Sequence, residues 1–218
     1  MSFTETHPSP GSPLLLFRIR RGPVKLTQHS YSSVDLVVAY MGALKAGATV
    51  SVLDPQYPAD RQKILLEVAN PTFLVQIRRA TEDAGKLAPT VSEFIANNLK
   101  IKAEVPALYL GDDGELKGGD IGGRDCLEPQ LPLKAETPGV VVGPDSAPTL
   151  SFTSGSEGRP KGVLGRHFSL TYYFPWMAER FGLSENDKFT MLSGIAHDPI
   201  QVGSRCPSRD GSAAVLQS

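Results

Sequence analysis

Behind the apolar run that ends at Phe152 lies a stretch rich in glycine and hydroxyl residues, TLSFTSGSEGRPKG, Thr149 to Gly162. Glycine tolerates positive φ and carries no Cβ, so a loop of this kind lets backbone N–H groups converge on an oxyanion, phosphate above all. Hydroxyls from Thr153, Ser154 and Ser156 add donors, Lys161 adds a mobile positive charge, and Pro160 stiffens the exit. The stretch reads as a nucleotide phosphate cradle made of Thr153, Ser154, Gly155, Ser156, Gly158 and Lys161. Other motifs do not fit it. Counting a P-loop from Gly155 puts Pro160 where its second glycine belongs and Gly162 where Ser or Thr belongs. Gly155 and Gly158 have the wrong spacing for a dinucleotide fingerprint. A nucleophile elbow centred on Ser156 needs glycine where Ser154 stands. The plain alternative is a turn or linker, since Gly, Ser and Pro punctuate loops everywhere. Its place directly after a hydrophobic strand, and the presence of Lys161, favour the cradle.

Three further groups have simpler readings. Asp54 ends a strand or caps the helix after Pro58, and Arg61 pairs locally. Tyr172, Tyr173, Phe174 and Trp176 read as core packing under the loop. His197 and Asp198, taken alone, fit a solvated turn or a cap.

The elements that must hold the loop are legible from about Ser33 onward. SVDLVVAYMGALKAG gives a buried helix with Ser33 as N-cap, Asp35 in its first turn, Lys45 in its last and Gly47 as its stop. ATVSVLDP is a strand, and PADRQKILLEVANP a helix with Ile64, Leu65 and Val68 on one face. TFLVQI is a strand, TVSEFIANN a helix with Thr90 and Glu93 as a capping box, and PALYL a strand. Gly111 to Asp145 reads as an exposed excursion. APTLSF and GVLGRH are strands on either side of the loop. FSLTYYFPWMAERFG is a helix, with Pro175 near its start or kinking it and Gly182 stopping it, and DKFTML is a last strand. Strands alternating with helices imply right-handed crossovers and an α/β fold with a mostly parallel sheet. Residues 1–32 and 202–218 lack periodicity and are expected to be a disordered leader and tail around a domain spanning 33–201.

Composition narrows the function classes. With 22 basic and 23 acidic residues the net charge is -1, which leaves no electrostatic footprint for nucleic acid or an anionic membrane. The expected partner is a small molecule. No apolar run approaches the roughly 20 residues of a membrane span. Cys126 and Cys206 form neither a metal-ligand pair nor a disulfide framework, so a cytoplasmic location is expected. PLLLFRIRR has its basic residues on the wrong side for a secretion signal.

LSFTSGSEGRPKG resembles the phosphate-binding core motif of the adenylate-forming enzymes, which include acyl-CoA synthetases and nonribosomal peptide synthetase adenylation domains. LKAGATVSVLDPQYPADR, Leu44 to Arg61, resembles that superfamily's upstream motif, in the same chain order. Glu157 and the stretch from Gly162 to Gln201 are similar to the alpha-aminoadipate reductases of fungal-type lysine biosynthesis.

The resemblance implies carboxylate activation by attack on the α-phosphate of ATP with Mg2+, giving an acyl adenylate and pyrophosphate, with charge neutralisation at the polyphosphate. It places Thr153, Ser154, Gly155, Ser156, Gly158 and Lys161 around the β- and γ-phosphates. AHDPI matches the next core motif, which puts His197 beside the acyl pocket and Asp198 on the amino group of a substrate such as 2-aminoadipate. After Gln201 nothing matches the family's adenine segment, magnesium ligands, ribose-binding Asp or catalytic lid Lys, so no catalytic residue is assigned. Phosphopantetheine and NADPH would belong to carrier and reductase domains without counterpart here. The expectation is a truncated, inactive adenylation domain, against two alternatives: a fragment of another amino-acid or acyl-CoA adenylating enzyme, or a noncatalytic nucleotide-binding module.

Overall fold

The structure, a computed structural model, describes residues 25–29 (backbone only), 33–155, 159–184 and 187. Its main sheet contains seven strands: β1 (Lys25–His29), β2 (Thr49–Leu53), β3 (Phe73–Ile77), β4 (Ala103–Leu110), β5 (Leu116–Lys117), β8 (Thr149–Thr153) and β9 (Lys161–Gly165). A separate two-stranded ladder pairs β6 (Asp120–Ile121) with β7 (Arg124–Asp125). The order across the main sheet is β5-β4-β3-β1-β2-β8-β9. The five inner strands run parallel, and the outermost pairings, β4 with β5 and β8 with β9, are antiparallel. The expected α/β fold with a mostly parallel sheet is therefore present.

Alternation along the strands divides the core between two faces. Val50 and Val52 of β2 and Val75 and Ile77 of β3 meet Leu36, Ala39, Tyr40 and Ala43 of α1 (Val34–Lys45). On the opposite face Leu53 packs with Leu65 and Leu66 of α2 (Ala59–Ala69) and with Val91 of α4 (Pro89–Asn98). A sheet with apolar side chains on both faces needs helices on both, which is why β2 is buried from Val50 to Leu53.

The start of α1 is as expected: the Leu36 N–H donates to Ser33 Oγ at 3.2 Å. Gly47 follows its end at φ +71°, a conformation glycine reaches without strain, and a Cβ there would stand 2.6 Å from Val140 Cγ1.

Other local expectations differ from the structure. Residues 25–29, inside the stretch read as a leader, form β1 between β2 and β3. Hydrogen bonds from two neighbours hold them extended despite a weak apolar pattern. The buried face of α2 is Gln62, Leu65, Leu66 and Ala69, with Ile64 and Val68 only half-buried at its margin. The capping box at Thr90 is not formed. The α4 helix begins at Pro89 with Ala88 as N-cap, so Thr90 already lies within the first turn. A short helix unforeseen from sequence, α3 (Arg78–Ala84), follows β3 directly.

The excursion from Gly111 to Asp145 contains β5, β6, β7 and a 3-10 helix at Glu128–Leu133. Asp125 organises part of it by accepting from the N–H groups of Gly118 and Leu127, and Leu127 is buried against the α1 face. Pro175 lies mid-way along α5 (His167–Phe181), which Gly182 ends at φ 64°. Of the four aromatic residues expected as core only Phe174 is buried. Tyr172, Tyr173 and Trp176 face outward. The strand expected at DKFTML lies outside the described residues apart from Asp187.

Candidate functional site

The two sequence motifs meet at one end of the sheet. β2 and β8 are adjacent and parallel, so Asp54, which follows β2, and the loop that follows β8 leave from the carboxyl ends of neighbouring strands. Open α/β sheets bind ligands in that position.

At the end of β2 the chain is held by its own polar groups. Asp54 is buried, and its Oδ1 accepts from the Gln56 N–H at 2.9 Å while its carbonyl accepts from the Tyr57 N–H at 3.2 Å. It closes the turn after the strand and does not cap α2, whose N-cap is Pro58 with no side-chain bond. The buried Gln62 amide reaches back from α2, and its Nε2 donates to the carbonyls of Tyr57 at 2.8 Å and Pro55 at 3.4 Å. Arg61 lies over the Tyr57 ring, 4.2 Å from its centroid, the local partnership expected of it.

The loop after β8 is the tip of a hairpin. Thr153 pairs with Lys161, and the ladder continues through Phe152 with Gly162 to Thr149 with Gly165. The strand before the loop and the strand after it are thus hydrogen-bonded to each other, which fixes the loop's two ends side by side. Gly155 lies at the neck, and a Cβ built on it would collide with the Arg159 carbonyl oxygen. Glycine is required here by close approach of backbone. Thr153, Ser154 and Lys161 are exposed, and no described carboxylate lies within ion-pair distance of the Lys161 amine. The hydroxyls and the cation are therefore open to a ligand.

Thr153, Ser154, Gly155 and Lys161 are brought together by the hairpin. Ser156 and Gly158 lie outside the described residues, as do His197 and Asp198. Among the described residues no three His, Cys, Asp or Glu side chains gather as a metal site, and no helix is long and apolar enough to cross a membrane. A groove of about 610 Å3, lined by Leu74, Gln76, Leu87, Ile95 and Glu104 among others, lies toward the β4 side and includes none of the predicted site residues.

One contact escapes sequence reasoning. Arg159 Nη2 lies 2.6 Å from Glu67 Oε2 near the end of α2. The two residues are 92 positions apart and no motif links them.

Similarity to known proteins follows the same geometry. The chain is 61% identical over 191 residues to the L-2-aminoadipate reductase large subunit of Penicillium chrysogenum, covering 88% of this chain and 14% of that protein. It is 62% identical over 185 residues to the L-2-aminoadipate reductase of Schizosaccharomyces pombe, covering 84% of this chain and 13% of that one. The chain thus spans about one seventh of these relatives' length. Among solved structures, IdnL7 superposes with a TM-score of 0.57 at 26% identity over 82% of this chain and 32% of its own. MatB from Rhodopseudomonas palustris, solved with ATP, superposes at 0.53 with 19% identity over 83% of this chain and 32% of its own, a likeness of fold. The family pattern described as AMP-binding enzyme matches residues 28–218, from the end of the central strand through the stretch expected to be a tail. With both motifs at the carboxyl end of adjacent parallel strands and the match running over most of its length, the chain belongs to the AMP-binding enzyme family.

Proposed function

We propose that this chain is the phosphate-gripping portion of an adenylation domain that activates the carboxylate of 2-aminoadipate or a close relative with ATP. The supporting observation is the β8–β9 hairpin, which presents Thr153, Ser154, Gly155 and exposed Lys161 at the carboxyl end of the parallel strands. The identity to aminoadipate reductases supports the substrate class.

In this reading Lys161 neutralises charge on the β- and γ-phosphates, and Thr153 and Ser154 donate to their oxygens. The Gly155 backbone comes close because no side chain intervenes. Ser156 and Gly158 complete the grip, and His197 and Asp198 face the amino-acid substrate. The substrate carboxylate attacks the α-phosphorus, and pyrophosphate leaves with the bonding electrons. Fixing the leaving pyrophosphate is the part this chain's residues perform. Magnesium would enter with the nucleotide, since the described residues form no cage of their own. No described residue is assigned to phosphopantetheine or NADPH, and the cytoplasmic placement belongs to this same reading.

Binding of MgATP to the 218-residue chain, followed by 31P NMR titration, tests the proposal. Lys161→Ala should abolish measurable binding, and unchanged binding in that variant overturns the cradle assignment. ATP–pyrophosphate exchange with 2-aminoadipate should be absent from the 218-residue chain and present in a polypeptide of the relatives' length. Exchange by the shorter chain would show that its own residues suffice for the chemistry.

A further inference from the structure

The neck of the hairpin loop is seated on the last turns of α2 through two neighbouring residues. Gly162 lies against Val68, where a Cβ would come within 3.2 Å of Val68 Cγ1 and 3.0 Å of Leu150 Cδ1. Three residues earlier Arg159 reaches Glu67, the residue before Val68, at 2.6 Å. Arg159 also supplies the carbonyl that meets Gly155 across the neck. One residue therefore joins the Gly155 limb to the helix: its backbone lies against Gly155 and its side chain is tied to α2.

From this arrangement we infer that Glu67 is a positioning residue for the phosphate loop, holding the Arg159 limb against α2 so that the neck stays closed and Lys161 keeps its register opposite Thr153. The inference rests on the phosphate-cradle reading and adds a residue outside both motifs.

Its sign separates it from simple electrostatics. Glu67 is an acidic group near a site proposed to take a polyanion, so removing its charge would tighten nucleotide binding if only the field mattered. A positioning role predicts weaker binding instead. Glu67→Gln should weaken MgATP binding about two- to fivefold, the range an exposed ion pair supports. Arg159→Gln should also weaken it. Adding Glu67→Gln to Arg159→Gln should then change nothing further, because the partner is already gone.

The 31P titration of the 218-residue chain reads all three variants beside Lys161→Ala. Thermal unfolding followed alongside should move little, since both side chains are mostly exposed. Should the wild-type chain fail to bind, or Lys161→Ala bind normally, the cradle reading falls and this inference with it. If Lys161→Ala loses binding while Glu67→Gln binds equally or more tightly, the positioning role alone is overturned. Additive effects of the two Gln substitutions would overturn it as well.

Discussion

Gly155 has no space for a side chain, because the Arg159 carbonyl occupies the place a Cβ would take. Gly155→Ala must open the neck. Overpacking of this kind costs about 1–3 kcal/mol, and nucleotide binding should fall about tenfold or more if the loop bears that cost. A titration showing full affinity in Gly155→Ala would mean that the neck can open without harm to the site. Asp113 offers a charge test. Its carboxyl lies below the usual 3.8, held there by Lys117 and then by the Glu115 N–H. A carboxylate whose folded pKa is depressed contributes stability above its unfolded value, and this is lost as pH falls through the folded one. Asp113→Asn should leave acid unfolding below about pH 4 less steep and neutral stability almost unchanged, read by circular dichroism. At this scale the grouping of Thr153, Ser154, Gly155 and Lys161 was legible because all four lie in one short glycine-rich stretch. Glu67 was not, since an ion pair spanning 92 residues exists only once the sheet has brought its ends together.

Helix starts show how far local signals reach. Ser33 accepts from the Leu36 N–H, so Ser33→Ala should cost about 1 kcal/mol and lower the melting temperature by about 2–4 °C. Thr90 makes no such bond, and Thr90→Ala should stay within about 0.5 kcal/mol of wild type. Equal losses in the two variants, measured by calorimetry, would contradict the observed start of α4. Ser33 was readable because one hydroxyl precedes one clear apolar period. At Thr90 a proline directly before it offered an earlier start, and the fixed φ of Pro89 suits the first helical turn. The hairpin was readable as two strands but not as a pair, because the loop from Ser154 to Pro160 is longer than the few residues that usually join a hairpin.

Viewed as one object, the sheet ends at β9, whose outer edge pairs with no other described strand. Val163 and Leu164 are 50% and 55% exposed on opposite faces of β9, and Tyr172 and Phe181 of α5 are 71% and 69% exposed. Edge strands with bare apolar residues pair with other chains. The chain produced alone should self-associate as concentration rises, and Val163→Lys with Leu164→Lys should reduce this in sedimentation without lowering the melting temperature. Association unchanged by both lysines would place the sticky surface elsewhere. Alternating strands and helices announced a parallel sheet, whereas the order of its strands could not be read, since pairing is decided by packing across the whole molecule.

That order has a bearing on how the protein is made. The five residues from Lys25 to His29 precede every other described strand in the chain, yet they are the plank on which β2 and β3 are both laid. Their first partner, β2, ends at Leu53, and their second, β3, is complete only at Ile77. Deletion through His29 should strand its two neighbours and yield only insoluble material on expression.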